Sequence, residues 1–91
     1  MCNMTGIVGR RLYVGEVYRH FKGSLYRVMA IGYDAQTEER VVIYRRADDM
    51  DDKIWVRPFV EFMSEVDHKK YPEVTQKFRF ELVVSRETTH V

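Results

Sequence analysis

Hydrophobic and polar residues alternate along much of this chain with the two-residue period of a β-strand. The cleanest alternation is FRFELVV at 78–84, where apolar side chains occupy every second position. Successive side chains of a strand point to opposite faces, so such a stretch packs one face on a core and leaves the other in water. It predicts a half-buried strand near the end of the chain.

The middle of the chain predicts a hairpin followed by a third strand. LYRVMAIGY at 25–33 and ERVVIYRR at 39–46 are rich in residues that favour sheets, and DAQT at 34–37 is a turn sequence. The second stretch has apolar residues on both faces, as in a strand that is covered on each side or closed into a small barrel. The acidic run at 48–52 predicts a solvated loop, and 54–57 predicts a short strand.

The pattern changes at Pro58, because proline suits the first position of a helix. The apolar residues that follow have the spacing of one helical face: Phe59, Phe62, Met63 and Val66. The whole pattern predicts a mainly β fold, a small SH3-like or related barrel of about five antiparallel strands with one short helix. The predicted core draws apolar residues from every element: Val17, Phe21, Tyr26, Val28, Ala30, Val42, Tyr44, Val56, Phe59, Phe62, Phe80 and Leu82.

One domain accounts for the pattern, since the 91 residues contain no repeat and no low-complexity stretch. We assign 12–86 to this domain, 1–11 to a flexible leader and 87–91 to a polar tail. Apolar residues make up 45% of the chain and charged residues 32%, which indicates a globular domain with a well-solvated surface. Cys2 is the single cysteine and no stretch approaches the ~20 apolar residues of a membrane span, so we expect a cytoplasmic location and no membrane partner.

The net charge of +1 produces no general attraction to nucleic acid or anionic lipid, so any such affinity would have to come from a local patch. His20, His68 and His90 do not follow the spacing of metal ligands, and no cysteine pair accompanies them. The glycines form no phosphate-binding fingerprint. We therefore expect neither a metal nor a cofactor.

The stretch YRHFKG at 18–23 combines aromatic and cationic side chains. In an extended conformation Tyr18, His20 and Lys22 point to one side, and neither side is purely apolar. One interpretation is that the aromatic rings pack inside and His20 is hydrogen-bonded to a neighbour. The second is that these three residues form a wall of a ligand groove, where aromatic faces stack and cations attract an anionic or planar partner. In a third, His20 is a general acid or base, since its unperturbed pKa lies near ~6.5.

A second aromatic and basic group is WVRP at 55–58. Trp55 could be a core or rim aromatic, with Arg57 paired to a carboxylate such as Glu61 or Glu65. Alternatively, Arg57 could bind an anion beside an exposed indole. The sequence alone does not place either residue near His20. The predicted ligand-binding residues are Tyr18, His20, Lys22, Trp55 and Arg57, and no catalytic residue is assigned.

Several motifs in a fixed order resemble a small bacterial family catalogued as domain of unknown function 1653: GEVYRHFKG at 15–23, TEE at 37–39, WVRP at 55–58 and RF at 79–80. The resemblance implies a compact, mainly β domain and no established activity. The chain departs from the family pattern at 33–35 and 67–77, so no ligand contact is assigned to those loops.

We expect a small non-catalytic binding module that recognises a protein or peptide through its aromatic and basic face, in preference to an enzyme. A nucleic-acid-binding barrel is the first alternative, with stacking and phosphate contacts from Tyr18, His20, Lys22, Arg45, Arg46 and Arg57. A homo-oligomer that covers its own sheet edge is a further alternative.

Overall fold

The computed structural model describes residues 10–48 and 50–83 of the chain. The elements follow one another in chain order as β1 (Val17–His20), β2 (Leu25–Tyr33), β3 (Arg40–Arg46), β4 (Trp55–Pro58), α1 (Phe59–Phe62) and β5 (Phe80–Leu82). The predicted mainly β architecture with a short helix directly after Pro58 is confirmed. The predicted strand at 78–84 is shorter than expected, and its last residue lies outside the described residues.

All the strands belong to one antiparallel sheet in the order β4-β3-β2-β1-β5. Among the described residues β4 and β5 are the two edge strands, and no pairing joins them. The sheet is therefore open, and the predicted barrel is not confirmed.

Two tight turns connect the first three strands. In the β1–β2 turn Gly23 has a φ of 111° and donates its N–H to the His20 carbonyl at 2.7 Å. Glycine has no Cβ to oppose this left-handed conformation. In the β2–β3 turn the Asp34 carboxylate accepts hydrogen bonds from the N–H groups of Gln36 at 2.8 Å and Thr37 at 2.9 Å. The turn residues that marked these loops in the sequence thus act through specific backbone contacts.

A β-bulge in β2 changes which side chains face the core. Val28 is paired with Tyr44, whereas Ile31 is paired with Val42, and the register shifts between Val28 and Ala30. Directly paired residues point to the same face of a sheet, and the extra residue of a bulge reverses the alternation. Ile31 therefore lies on the same face as the buried Val28, although the two are separated by an odd number of positions.

The core lies between this face of the sheet and the α1 region. Its buried residues are Tyr18, Val28, Val42, Tyr44, Phe62, Met63 and Phe80. Phe62 and Phe80 stack with ring centroids 4.0 Å apart. Burial of Val28, Val42, Tyr44, Phe62 and Phe80 confirms these predicted core positions.

Two predicted core positions, Val56 and Leu82, are wrong. Val56 is 63% exposed, because it lies on edge strand β4 opposite Ile43 and faces away from α1. Leu82 lies on the other edge strand and is 36% exposed. Val17, Phe21 and Ala30 are only partly buried. Tyr26 and Phe59 are also partly buried, and they pack against the buried cluster as predicted.

Arg10 belongs to the folded unit even though the predicted domain began at residue 12. Its Nη1 donates to the Met63 carbonyl and its Nη2 to the Phe80 carbonyl, each at 2.8 Å. Its guanidinium carbon lies 3.9 Å from the ring centroid of Phe78. The remainder of the predicted leader, except residue 11, and the whole predicted tail at 87–91 lie outside the described residues.

Within residues 10–48 and 50–83, no helix is long and apolar enough to cross a membrane. The same residues contain no cluster of three or more histidine, cysteine, aspartate or glutamate side chains suited to holding a metal ion.

Candidate functional site

A cavity of about 170 Å³ opens at one end of the core face, and we call it the His20 pocket. Its lining residues are His20, Tyr26, Tyr44, Trp55, Arg57 and Phe80. They come from every strand. Because neighbouring strands are antiparallel, the last residues of β1 and β3 lie at the same end of the sheet as the first residues of β2, β4 and β5. Sequence-distant side chains therefore meet there.

The ring of His20 is held in one orientation. Its Nδ1 accepts the backbone N–H of Lys22 at 3.1 Å. A backbone amide can only donate, so the proton of the neutral ring is on Nε2, which has no partner among the described residues. The ring stacks on Phe21 with centroids 4.5 Å apart and meets Phe80 edge-on at 4.9 Å. His20 thus presents one hydrogen-bond donor from a fixed ring.

The pKa of His20 is lowered from 6.5 to about 4, first by burial and then by the positive charges of Arg57, Arg79 and Lys22. The imidazole is therefore neutral at pH 7. A neutral ring in this place acts as a hydrogen-bond donor and an aromatic surface, and it adds no positive charge to the pocket.

Arg57 is tied to the protein on two sides. Its Nε donates to the Tyr44 hydroxyl at 3.0 Å, and its Nη1 pairs with the Glu61 carboxylate at 3.3 Å. Its guanidinium carbon lies 5.7 Å from the Phe80 ring centroid. The interpretation in which Arg57 pairs with Glu61 is thereby confirmed, and these bonds also hold the guanidinium at the pocket.

Aromatic side chains form the remaining walls. Tyr26 meets Tyr44 edge-on with centroids 5.4 Å apart. Trp55 is 42% exposed and lies at the rim. The Lys53 ammonium is 5.8 Å from the Trp55 ring centroid, which adds a cation beside the indole. The pocket therefore combines aromatic walls with the hydrogen-bond donors of His20 and Arg57.

His20, Trp55 and Arg57 are the predicted site residues that the fold brings together. Tyr18 was expected on a displayed face, but it is 1% exposed. Its hydroxyl accepts the Tyr13 N–H at 3.0 Å, its ring meets Phe62 edge-on at 5.7 Å, and burial raises its pKa. It shares a face of β1 with His20 but lies deeper under the α1 region. Tyr18 is thus a core residue and does not line an open surface.

Lys22 also lies outside the pocket. β1 ends at His20, so the strand alternation that grouped Lys22 with it does not extend that far. The Lys22 ammonium is instead 5.5 Å from the ring centroid of Tyr71 and 5.9 Å from that of Phe21. Its contribution to the pocket is the backbone N–H that orients His20.

The sequence missed the pocket roles of Tyr26, Tyr44 and Phe80, which it assigned to the core. Tyr26 and Phe80 are neighbours of β1 residues: Tyr26 is paired with Tyr18, and Phe80 with His20. A correct strand order would have placed them beside His20. That order is not visible in the periodicity of any single strand.

Within residues 10–48 and 50–83, no carboxylate lines the His20 pocket. Glu61 borders it only through its pairing with Arg57. Glu38 and Glu39 lie in the β2–β3 turn, at the opposite end of β3 from the pocket. In the described part of the chain, the pocket thus supplies donors and aromatic surfaces rather than an acid–base pair.

The fold and the pocket define a small protein with one open β-sheet and a short helix. A family model described as "Protein of unknown function (DUF1653)" matches residues 16–82, and the chain belongs to this family. The matched region includes every described strand and the whole lining of the His20 pocket. No match was found among curated proteins or among solved structures.

Proposed function

We propose that this protein is a non-catalytic binding module that recognises a protein or peptide through the His20 pocket and the exposed indole beside it. The observation that supports the proposal most strongly is the convergence of His20, Trp55 and Arg57 in one cavity. Aromatic residues and arginine are enriched where proteins bind other proteins. Tyr18 is left out of the proposed surface because it is buried, and Lys22 because it lies away from the pocket.

The size of the pocket favours a single side chain as its occupant. Cavities that bind drug-sized molecules measure roughly 300–1,000 Å³, whereas this one measures about 170 Å³. The occupant would be a planar or carboxylate-bearing side chain, since the walls are aromatic and the available groups are donors.

Edge strand β4 supports a peptide rather than a free small molecule. Trp55 and Arg57 both lie on β4, which has no strand on its outer side among the described residues. An extended peptide that paired with this edge would bring alternate side chains to the face that contains the pocket. Pro58 has no N–H to donate, so the pairing would be limited to the first part of the strand.

The nucleic-acid alternative is weaker. Arg46, one of its proposed phosphate contacts, donates from Nε and Nη2 to the Asp48 carboxylate at 3.0 and 2.6 Å. The third proposal, a homo-oligomer paired through a sheet edge, would use the same β4 edge as a peptide.

We retain the cytoplasm as the proposed location, on the ground of the single cysteine. The SH3-like small barrel also remains a prediction, since β4 and β5 would have to pair to close it.

Binding can be followed with the single tryptophan of the chain. We would titrate the ¹⁵N-labelled protein with a panel of short acetylated peptides that contain acidic and aromatic residues, and separately with mixed-sequence single-stranded DNA and RNA. The proposal predicts that peptides shift the Trp55 indole N–H, the His20 amide and the Arg57 amide. Trp55→Ala and Arg57→Gln should each weaken this binding about tenfold or more. Lys22→Gln is the matched control and should leave it unchanged.

Different results separate the alternatives. Shifts of the same residues by oligonucleotides and not by peptides would replace the proposal with the nucleic-acid alternative. Peptide shifts confined to residues away from the pocket would overturn the proposed site. Sedimentation over a range of concentrations tests the homo-oligomer, which should associate as the concentration rises. Val56→Lys places a charge on the β4 edge and should abolish this association.

A further inference from the structure

A second cavity, of about 410 Å³, lies at the opposite end of the core face, and we call it the arginine groove. Arg10, Arg11 and Arg40 line it together with Tyr13, Ile31 and Phe59. It shares no lining residue with the His20 pocket. We propose that the arginine groove is a separate binding site for a small aromatic anion, a planar ring that carries a phosphate or carboxylate group.

The three guanidinium groups of the groove are not equivalent. Arg10 is engaged by the carbonyls of Met63 and Phe80 and by the ring of Phe78, so its role is structural. Arg40 and Arg11 are exposed, and among the described residues neither side chain has a hydrogen-bond or ion-pair partner. Two sets of guanidinium donors are therefore available to a ligand.

Arg40 is held in position without using its donors. Its guanidinium carbon lies 3.8 Å from the ring centroid of Phe59, a cation–π contact that occupies the face of the guanidinium and leaves its edges open. Such an edge presents N–H groups in the geometry that binds carboxylate or phosphate with two parallel hydrogen bonds. The stacking thus prepares Arg40 for an anion.

The charge in the groove is positive. Among the described residues no carboxylate lines it, and Glu39 lines an adjoining cavity that shares Arg40 and Phe59 with the groove. A concave surface lined with charge of one sign concentrates ligands of the opposite sign. The positive charge therefore favours an anionic ligand over a neutral or cationic one.

The walls indicate that the anion has a planar or apolar body. Tyr13 is 47% exposed and Ile31 37% exposed, and with Phe59 they form apolar surfaces beside the arginines. The volume of about 410 Å³ falls within the roughly 300–1,000 Å³ range of small-molecule sites. An inorganic anion would leave these walls in water, whereas an aromatic phosphate would cover them.

The test uses the full chain and two probes, adenosine monophosphate and 1-naphthyl phosphate. Adenosine and inorganic phosphate each lack one half of the predicted chemistry and serve as ligand controls. We expect each probe to shift the amides of Tyr13, Ile31 and Arg40 and to bind more weakly as salt is raised. Arg40→Gln and Arg11→Gln should each weaken binding about tenfold, the loss expected for a charge-assisted bidentate contact.

Arg19→Gln is the matched control variant, since Arg19 is an exposed arginine of β1 outside the groove. It should bind both probes as the unaltered chain does. Because Arg11, Arg40 and Arg19 are all exposed, circular dichroism and thermal unfolding should show that every variant is folded. A further variant, Phe59→Leu, keeps the apolar wall but removes the ring that contacts Arg40, and should weaken the binding of both probes severalfold.

Several outcomes would overturn the proposal. These are no shift with either probe at millimolar concentration, equal binding of adenosine and adenosine monophosphate, equal binding of inorganic phosphate, or unchanged affinity in Arg40→Gln. Shifts confined to the His20 pocket would also overturn it. Because the two cavities have separate linings, failure here leaves the peptide proposal to its own test.

Discussion

The His20 pocket and the arginine groove lie at opposite ends of one core face, and both contain arginines and aromatic rings. In the pocket, Arg57 is bonded to Tyr44 and Glu61, and His20 is oriented by a backbone amide. In the groove, Arg40 rests on the Phe59 ring with its donors open. The first cavity is shaped by internal hydrogen bonds, whereas in the second Arg11 and Arg40 have no ion-pair partner among the described residues.

The two cavities also differ in how closely binding is linked to the stability of the fold. The pocket walls are shared with the core, since Tyr44 is 3% exposed and Phe80 is fully buried. A substitution there changes stability and binding together. In the groove, Arg11, Tyr13, Ile31 and Arg40 are exposed, so these residues can change with little effect on folding. Three measurements of stability test this contrast, beginning with the largest effect.

Truncation of Phe80, which lines the His20 pocket, should have the largest effect on stability. Phe80 is 0% exposed and stacks on Phe62 at 4.0 Å. We expect Phe80→Ala to lower the free energy of unfolding by about 3–5 kcal/mol, because it removes buried apolar surface and leaves a cavity. Tyr13→Ala, in the wall of the groove, is the comparison and should cost about 1 kcal/mol or less. Urea unfolding measures both, and equal losses would contradict the contrast.

Acid should destabilise the protein through His20. The folded-state pKa is about 4, against the ordinary value of 6.5. Between these pH values the unfolded chain binds more protons than the folded chain, so the protein becomes less stable as pH is lowered. The stability that the neutral His20 ring contributes is fully present above pH 6.5 and is lost as pH falls toward 4. Since His20 is only partly buried, solvent screening limits the loss to about 1–2 kcal/mol.

His20→Gln isolates this pH effect, because glutamine does not titrate. The slope of unfolding free energy against pH should be shallower in this variant than in the unaltered chain. His68→Gln is the matched control, since the His68 ring lies outside the pocket and contacts the Gln76 carbonyl. A slope that His20→Gln leaves unchanged would show that another group carries the pH dependence.

The smallest expected effects compare the two arginine environments directly. Tyr44→Phe removes the hydroxyl that accepts from Arg57 Nε, and should cost about 1 kcal/mol by leaving that donor without its partner. Arg40→Gln removes only an exposed cation–π contact, and should cost about 0.5 kcal/mol. Thermal unfolding of both variants measures the difference. A larger loss in Arg40→Gln would mean that Arg40 is part of the folded framework.

Local patterns predicted the elements well. Turn residues at 34–37 marked the β2–β3 hairpin because Asp34 caps the turn with its own carboxylate. Pro58 marked the start of the helix because its fixed φ suits that position. These features depend on contacts between residues close in the chain. Closure of the sheet depends instead on pairing between β4 and β5, and the predicted barrel therefore went beyond what periodicity can establish.

The candidate site was predictable in part. His20, Trp55 and Arg57 were identified by their chemistry, because aromatic and cationic side chains at strand positions are suited to binding. Their meeting depended on the strand order, which brings one end of every strand together. Tyr18 and His20 have the same strand parity, yet one is buried and the other lines a cavity. The alternation of side chains along a strand decides which face of the sheet a residue lies on, whereas the position of the α1 region decides which part of that face is covered.

The sequence by itself determined the strands, the turns and the types of side chain that each strand carries, since these follow from backbone geometry and the two-residue period. The tertiary structure alone decided which guanidinium groups are bonded within the molecule and which remain open. Arg57 lies within β4 and Arg40 begins β3, and as arginines of short strands they look alike in the sequence. One has a hydroxyl and a carboxylate within reach, and the other has only the face of a ring.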